Sequence, residues 1–281
     1  MALESENHKK QVTAVFDAVA DGYDNPAMRF FSTAANKLVD TLKPATGEKL
    51  LDIAAGTGEV AIACAQAMLP GGRVIAIDLS EGMLAKARQK ARRQELDNID
   101  FFNMDAEQLE FKSHCFNHAI CSFGLFFLPD MESALKEWVR VVKPGGKLLF
   151  SSFTEKAFQP MMNVFFEQLE GFGVQFEGPL LKKQRLAEIS ECLEIMTAAG
   201  LEEPTVESHQ LGYRIQSVND WWDICRFSGL RGLLDRLDQQ RLSQFRAKHL
   251  ERIHSMFGEQ GLWMDVEVLI SQGKVPLTNE K

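Results

Sequence analysis

An open α/β fold, a mostly parallel sheet with helices on both faces, is predicted by three observations. A glycine-rich turn joins an apolar strand to a helix, strands and helices then alternate, and successive apolar strands end in carboxylates. The first strand, Leu50 to Ala55, is a short apolar run that suits a buried strand and leads into Gly56 and Gly58. Without side chains there, backbone can pass close to a ligand, and Glu59 to Met68 then reads as a helix. Dinucleotide-binding proteins share such a turn, so its neighbours decide its meaning.

The second strand, Arg73 to Leu79, places Asp78 near its carboxyl end, where a carboxylate can accept hydrogen bonds from both hydroxyls of a ribose. Ser80 can cap the following helix. The third strand, Ile99 to Met104, leads into Asp105 at the same sheet edge. An adenine amino group would suit that acid, and on spacing alone it reads equally as a loop acid or an N-cap. From Asn117 to Phe153 the pattern is strand, helix, strand. Asp130 is the N-cap of a helix through Val142, on which Leu135, Trp138, Val139 and Val142 recur at helical spacing, and Pro144, Gly145 and Gly146 stop it. After Thr154 the signals turn helical. A Met- and Phe-rich segment runs from Pro160 to Phe176, an amphipathic helix from Leu186 to Ala199 ends at Gly200, and strand-like residues run from Thr205 to Ile215. Helices then begin near Val218 and Gln239, and a last strand spans Leu262 to Ile270.

These residues carry a resemblance, from roughly Phe16 to Phe153, to class I S-adenosylmethionine-dependent methyltransferases. The first motif of that family, acid-x-Gly-x-Gly-x-Gly, is matched by Asp52, Ala54, Gly56 and Gly58, with Ala54 where the family has glycine. Alanine is small enough to keep the close backbone approach, and its presence suits a methyltransferase better than a nicotinamide enzyme. SFGL at Ser122 to Leu125, VVKPGGKLL at Val141 to Leu149 and FDAVADGYDNP at Phe16 to Pro26 are similar to the ubiquinone and menaquinone biosynthesis methyltransferase group, in which the last of these segments folds over the cofactor.

The resemblance implies a Rossmann-like, seven-stranded, mostly parallel sheet with an antiparallel seventh strand. Residues 1–153 would form the cofactor-binding core with an N-terminal cap. Residues 154–281 would form a helical substrate-side elaboration plus the last two strands, in one continuous domain. It implies S-adenosylmethionine as cofactor, with S-adenosylhomocysteine as product. Asp78 would hold the ribose, Asp105 the adenine, and Gly56 with Gly58 the methionine end. Tyr23, Asp52, Ala54, Ala55, Thr57, Leu79, Met83, Met104, Ala106, Ser122 and Phe123 would be further cofactor contacts.

Composition bounds the remaining choices. The 281 residues are 45% hydrophobic, enough for a full core without disulfides. The odd number of cysteines, without a CxxC pair, reads as reduced thiols, and Cys121 reads as a small buried hydrophobe. A net charge of -8 does not favour a nucleic-acid footprint, and the basic run from Lys86 to Arg93 is a solvated helix face. The amino terminus has no apolar leader core and no run reaches membrane-spanning length, so cytoplasmic residence is expected. No HExxH, CxxC or EF-hand pattern occurs, and metal dependence is not expected.

Methyl transfer needs mainly alignment of acceptor and methyl, with a base when the acceptor must lose a proton. His209 and Tyr213, on one face of the expected sixth strand, are candidates for that base, although an exposed histidine and a packing tyrosine are the simpler roles. With 20 phenylalanines against 2 tyrosines, Phe126, Phe127, Phe165 and Trp222 are the expected walls of a greasy acceptor pocket. The reading is methyl transfer to an oxygen or activated carbon of a small apolar aromatic, quinol-like or natural-product acceptor. The alternatives are a tRNA- or protein-modifying methyltransferase and a non-catalytic cofactor-binding scaffold. The Met- and Phe-rich segment reads equally as a lid or a homodimer interface.

Overall fold

The computed structural model describes residues 2–175 and 185–277. In chain order its elements are α1 (Ala2–Val19), α2 (Phe30–Leu42), β1 (Lys49–Ile53), α3 (Glu59–Ala67), β2 (Arg73–Asp78), α4 (Glu81–Arg93), β3 (Ile99–Asn103), β4 (Phe116–Ser122), α5 (Met131–Val141) and β5 (Val142–Phe153). Then come α6 (Met161–Gly171), α7 (Ile189–Ala198), β6 (Glu202–Gln210), β7 (Tyr213–Ile215), α8 (Val218–Phe227), α9 (Arg231–Leu234), α10 (Gln239–His254), β8 (Leu262–Met264) and β9 (Glu267–Lys274). Seven strands form one sheet in the order β3-β2-β1-β4-β5-β9-β6, and β7 pairs with β8 apart from it. The strands from β1 to β5 are mutually parallel, and β9 runs antiparallel to both β5 and β6.

Both faces of the sheet are covered, as the continuous apolar runs require. Leu50, Val74, Ile120 and Leu149 point to the face under α2 and α3, whereas Leu51, Ile75, Leu148 and Phe150 point to the face under α5 and α7. Alternation along each strand makes that division. The caps read from sequence are present: Ser80 Oγ accepts from the Met83 N–H at 3.1 Å, and Asp130 Oδ1 accepts from Ser133 at 3.0 Å. Among the described residues no helix is long and apolar enough to cross a membrane.

Four boundaries differ from the sequence reading. Pro144, Gly145 and Gly146 do not follow the helix as a loop but lie inside β5, where the register with β4 shifts between Phe116 and His118. A Cβ on Gly146 would lie 2.3 Å from the Asn117 carbonyl oxygen, so the bulge closes only with glycine there. The expected strand from Thr205 to Ile215 is two strands in different sheets. A Cβ on Gly212 would meet the Met264 carbonyl at 2.5 Å, and at this close crossing the chain leaves the main sheet. The expected last strand, Leu262 to Ile270, divides likewise at Asp265, whose Oδ1 accepts from Gln210 Nε2 and the Glu267 N–H. Period-two patterning continues across both bends and cannot reveal them. The helix expected from Leu186 begins only at Ile189, because Leu186 has a left-handed backbone (φ 61°). Phe176, the end of the Met- and Phe-rich segment, lies outside the described residues.

The elements after β5 build a second apolar core, with Phe165, Trp221, Trp222, Phe245 and Ile253 among its members. A buried imidazole fixes its helices. Trp221 Nε1 donates to His249 Nε2 at 2.8 Å, which leaves Nδ1 to donate to Gln168 Oε1 at 2.6 Å. Burial pushes the His249 pKa down to about 4, so the ring is neutral and this pattern is stable at pH 7.

Candidate cofactor cleft

At the carboxyl ends of β1, β2 and β4 the backbone is bent into unusual conformations. Ala54 and Phe123 have left-handed φ of 53° and 54°, as have Gly56 (54°) and Gly58 (85°). For the two side-chain-bearing residues this stores strain at the sheet edge. It persists because the surroundings overdetermine it: Phe123 N–H donates to Ser151 Oγ at 3.1 Å, and its ring stacks on Phe153 with centroids 4.2 Å apart. Gly58 stands at the N-cap of α3, so the turn aims the start of that helix at the strand ends.

Asp78 closes the turn from the neighbouring strand. One carboxylate oxygen accepts the Gly56 N–H at 2.8 Å and the other accepts the Ser80 N–H at 2.8 Å. Burial nevertheless raises its pKa, against the pull of these backbone bonds and helped by the nearby Asp17. Each oxygen keeps a free lone pair for a further donor.

Helix α1 lies across this edge and is tied down along its length. His8 Nε2 donates to the Phe127 carbonyl at 2.7 Å, and Lys9 bridges Asp105 and Glu107 at 2.6 and 2.5 Å. Asp17 accepts from Ser80 Oγ at 2.5 Å and from the Gly82 N–H at 3.0 Å. Past the helix, Asp24 accepts from Thr57 Oγ1 at 2.6 Å and from Lys90 at 3.0 Å. The cap and sheet face each other across a concave cleft at the sheet edge. It is lined by His8, Lys9, Val12, Thr13, Phe16, Tyr23, Ala54, Gly56, Asp78, Leu79, Ser80, Met83, Met104, Ala106, Ser122, Phe123, Gly124, Phe127, Leu128 and Pro129. The lining combines the glycine turn and Asp78 with apolar and aromatic residues, and its one lysine, Lys9, is taken up by Asp105 and Glu107, so the cleft fits an uncharged ribose and purine better than a polyphosphate.

Residues 3–184 match the ubiE/COQ5 methyltransferase family. The chain belongs to that family. It is 35% identical over 150 residues to the aklanonic acid methyltransferase DauC of Streptomyces sp. strain C5, covering 53% of this chain and 68% of that protein. It is also 35% identical over 151 residues to the demethylmenaquinone methyltransferase of Bacillus cytotoxicus, covering 51% of this chain and 62% of that one. The chain thus spans a little over three fifths of the latter relative. The fold is that of the YcgJ protein from Bacillus subtilis, with a TM-score of 0.59 at 20% identity over 87% of this chain and 98% of the other. As a member of the ubiE/COQ5 family the chain is an S-adenosylmethionine-dependent methyltransferase.

In this methyltransferase the residues expected at the cofactor divide into three groups. Tyr23, Ala54, Gly56, Asp78, Leu79, Met83, Met104, Ala106, Ser122 and Phe123 line one cleft. Ala55, Thr57 and Gly58 stand behind the wall: the Ala55 N–H donates to the Ile77 carbonyl at 2.9 Å, and Thr57 holds Asp24. Asp105 is turned from the cleft, because Lys9 takes one of its oxygens and the Glu107 N–H the other at 2.9 Å. Its geometry is the loop acid of the simpler reading.

Asp52 is buried, and neither carboxylate oxygen has a hydrogen-bond partner among the described residues. Desolvation drives its pKa well above the usual range, and the negative charge of Asp78 pushes in the same direction. A raised carboxyl pKa supplies stability below the unfolded value near 4 that is lost as pH rises through the folded value. Asp52→Asn removes that loss. In urea unfolding at pH 5 and pH 8 the variant should therefore gain on the parent with rising pH, by about 1–3 kcal/mol. A parallel pH dependence of the two proteins would contradict this account.

The acceptor-side expectations need correction. Phe127 lines the cleft, but Phe126 packs between the two cores. Phe165 is fully buried against Phe245 and His249, and Trp222 packs on Phe245 under Arg246. Both are core aromatics. His209 and Tyr213 do not share a strand. His209 lies on edge strand β6 with Glu207 at 3.4 Å, and Tyr213 donates its hydroxyl to the Ala27 carbonyl at 2.5 Å under the Arg29 guanidinium. Burial raises the Tyr213 pKa further, so neither residue is placed to take a proton in the cleft. The sequence reading expected the cap from Phe16 onward but not the α1 wall before it, His8, Lys9, Val12 and Thr13. Val12, Phe16 and Val19 at spacings of four and three were the signal for its inner face.

Proposed function

We propose that the chain transfers the methyl group of S-adenosylmethionine to a carbon or oxygen of a small, apolar aromatic acceptor of quinol or polycyclic type. The observation that carries the acceptor class is the ring wall beside the Asp78–Gly56 turn. Tyr23, Phe16, Phe123 and Phe127 all line the cleft, with Phe16 edge-on to Tyr23 (6.1 Å) and to Phe127 (5.2 Å). Such rings favour stacking of a flat partner. The two relatives above act, by their names, on aklanonic acid and on a demethylmenaquinone, which fits this class.

On this reading Asp78 accepts both ribose hydroxyls, the methionine end lies along Ala54 and Gly56, and Leu79, Met104 and Ala106 sandwich the adenine. The N-terminal cap and residues after 154 supply the acceptor side. The cofactor carries a methyl on a sulfonium, already a good leaving group. When bound, it would supply the methyl by breaking its C–S bond as the bond to the acceptor forms, becoming a neutral thioether, with the acceptor's proton released to solvent. The chain's own contribution is alignment and exclusion of water. Residence in a reducing cytoplasm accords with five free thiols.

Isothermal calorimetry with S-adenosylmethionine, S-adenosylhomocysteine and NADH, followed by transfer of labelled methyl to reduced 1,4-naphthoquinone, tests the reading. Binding of the adenosyl pair alone and label in the organic phase are expected. Label appearing only in added tRNA or protein would displace the small-acceptor assignment.

A further inference from the structure

The walls of the cleft are not equally tied. Helix α1 is held by the His8, Lys9 and Asp17 bonds, and the rim at residues 126–129 by the Arg185 guanidinium, which donates to the carbonyls of Phe126 (3.2 Å), Leu128 (2.8 Å) and Pro129 (3.4 Å). The segment 227–232, from the end of α8 to the start of α9, meets the cap differently. Among the described residues no hydrogen bond or ion pair joins it to residues 12–24, the nearest polar tie being one turn earlier, where Asn25 Nδ2 donates to Asp223 Oδ2 at 2.8 Å, and every one of its six residues is half-buried. Glycines make the contact. A Cβ on Gly22 would lie 2.1 Å from the Phe227 ring, one on Gly232 would lie 3.0 Å from Val15, and one on Gly229 would lie 3.4 Å from Phe127 and 4.0 Å from Phe16.

The rings that Gly229 faces, Phe16 and Phe127, also line the cleft, so at Gly229 the seam and the cleft share one wall. A seam without directed polar bonds, closed by the absence of side chains, is the wall that opens at least expense in lost interactions. The family match ends at residue 184, so this wall belongs to a part of the chain that the family does not define.

We propose that the seam between the cap and segment 227–232 is the port by which a flat aromatic acceptor reaches the Phe16–Phe127 wall, and that Gly229 sets the size of acceptor admitted. This rests on the aromatic-acceptor reading above. Phe227, seated on Gly22, forms one side of the port, and Gly229 lies directly against Phe127, with room there for about a methyl group. The φ of Gly229 lies outside the left-handed region, so a side chain is tolerated there and would point at the two rings.

The test uses the full chain loaded with S-adenosylhomocysteine, titrated with reduced 1,4-naphthoquinone (two rings) and reduced 1,8-dihydroxyanthraquinone (three rings) by quenching of tryptophan fluorescence. Gly229→Val should weaken the three-ring probe at least tenfold and the two-ring probe less than threefold, with S-adenosylhomocysteine affinity unchanged. Phe227→Ala should speed association of the three-ring probe several-fold. Should the valine variant not fold, Gly229→Ala, whose Cβ makes ordinary contact with Phe127, carries the same test with a smaller shift. Equal affinities of parent and variant for both probes, with cofactor binding intact, overturn the port. A parent that binds S-adenosylhomocysteine but neither probe overturns the acceptor reading and the port with it, whereas failure to bind S-adenosylhomocysteine would instead remove the cofactor assignment.

Discussion

Asp78→Ala lowers the affinity for S-adenosylmethionine and S-adenosylhomocysteine by at least about a hundredfold, close to 3 kcal/mol or more, in isothermal calorimetry. Two losses add. The carboxylate would hold both ribose hydroxyls, and hydrogen bonds to a charged acceptor are worth about 1.5–3 kcal/mol each. It also fixes the Gly56 and Ser80 amides at 2.8 Å, so without it the glycine turn and the start of α4 lose their common anchor. Asp78→Asn separates the two, because the amide keeps one acceptor for a backbone N–H but loses the charge. Its affinity should fall between parent and alanine variant.

The pH dependence follows from the direction of the Asp78 shift. Burial raises its pKa, so on acidification the carboxylate protonates earlier than an ordinary aspartate. The protonated form is the poorer acceptor, and cofactor affinity should weaken as pH falls through that raised value and recover above it. Asp78→Asn should flatten the profile. An alanine variant with parental affinity, or an asparagine variant with the parent's pH slope, would remove Asp78 from the ribose.

What sequence could show followed from how local each signal is. The glycine turn, the Asp78 strand end and the Ser80 and Asp130 caps are encoded within a few residues, and the structure has them in place. The seven-stranded sheet and its antiparallel last strand came from family resemblance, since β9 pairs with β5 across more than 100 residues and with β6 across more than 50. The misreadings share a cause. Asp105 is turned away by Lys9, which lies 96 residues earlier, and Phe165 and Trp222 are claimed by a core that includes α10. Tyr213 left its expected strand because Gly212 lets the chain cross Met264. No local pattern reports which distant group will occupy a side chain. His8 and Val12 carry no local signal of a site, and the inner face of α1 gains meaning only when the Asp17, Lys9 and His8 bonds lay it over the sheet edge.

Trp138 joins the core to the cleft, and its variants should separate packing from function. The ring is fully buried in the face under α5, and its Nε1 donates to the Ala106 carbonyl at 2.7 Å. Ala106 lines the cleft on the side assigned to adenine. The same helix holds the rest of that loop: Glu137 accepts the Leu109 N–H at 3.1 Å, and Arg140 donates to the Leu109 and Phe111 carbonyls at 3.1 and 2.9 Å. Trp138→Ala opens a cavity and orphans the carbonyl, a loss of about 3–5 kcal/mol in urea unfolding, which is a large part of the 5–15 kcal/mol that holds a typical domain folded. Trp138→Phe keeps most of the packing but not the donor, and should cost about 1–3 kcal/mol. If the bond to Ala106 also sets the adenine wall, the phenylalanine variant, still folded, should bind S-adenosylhomocysteine three- to tenfold more weakly. Unchanged affinity in that variant would mean that the Glu137 and Arg140 contacts alone position the loop, with Trp138 serving the core only.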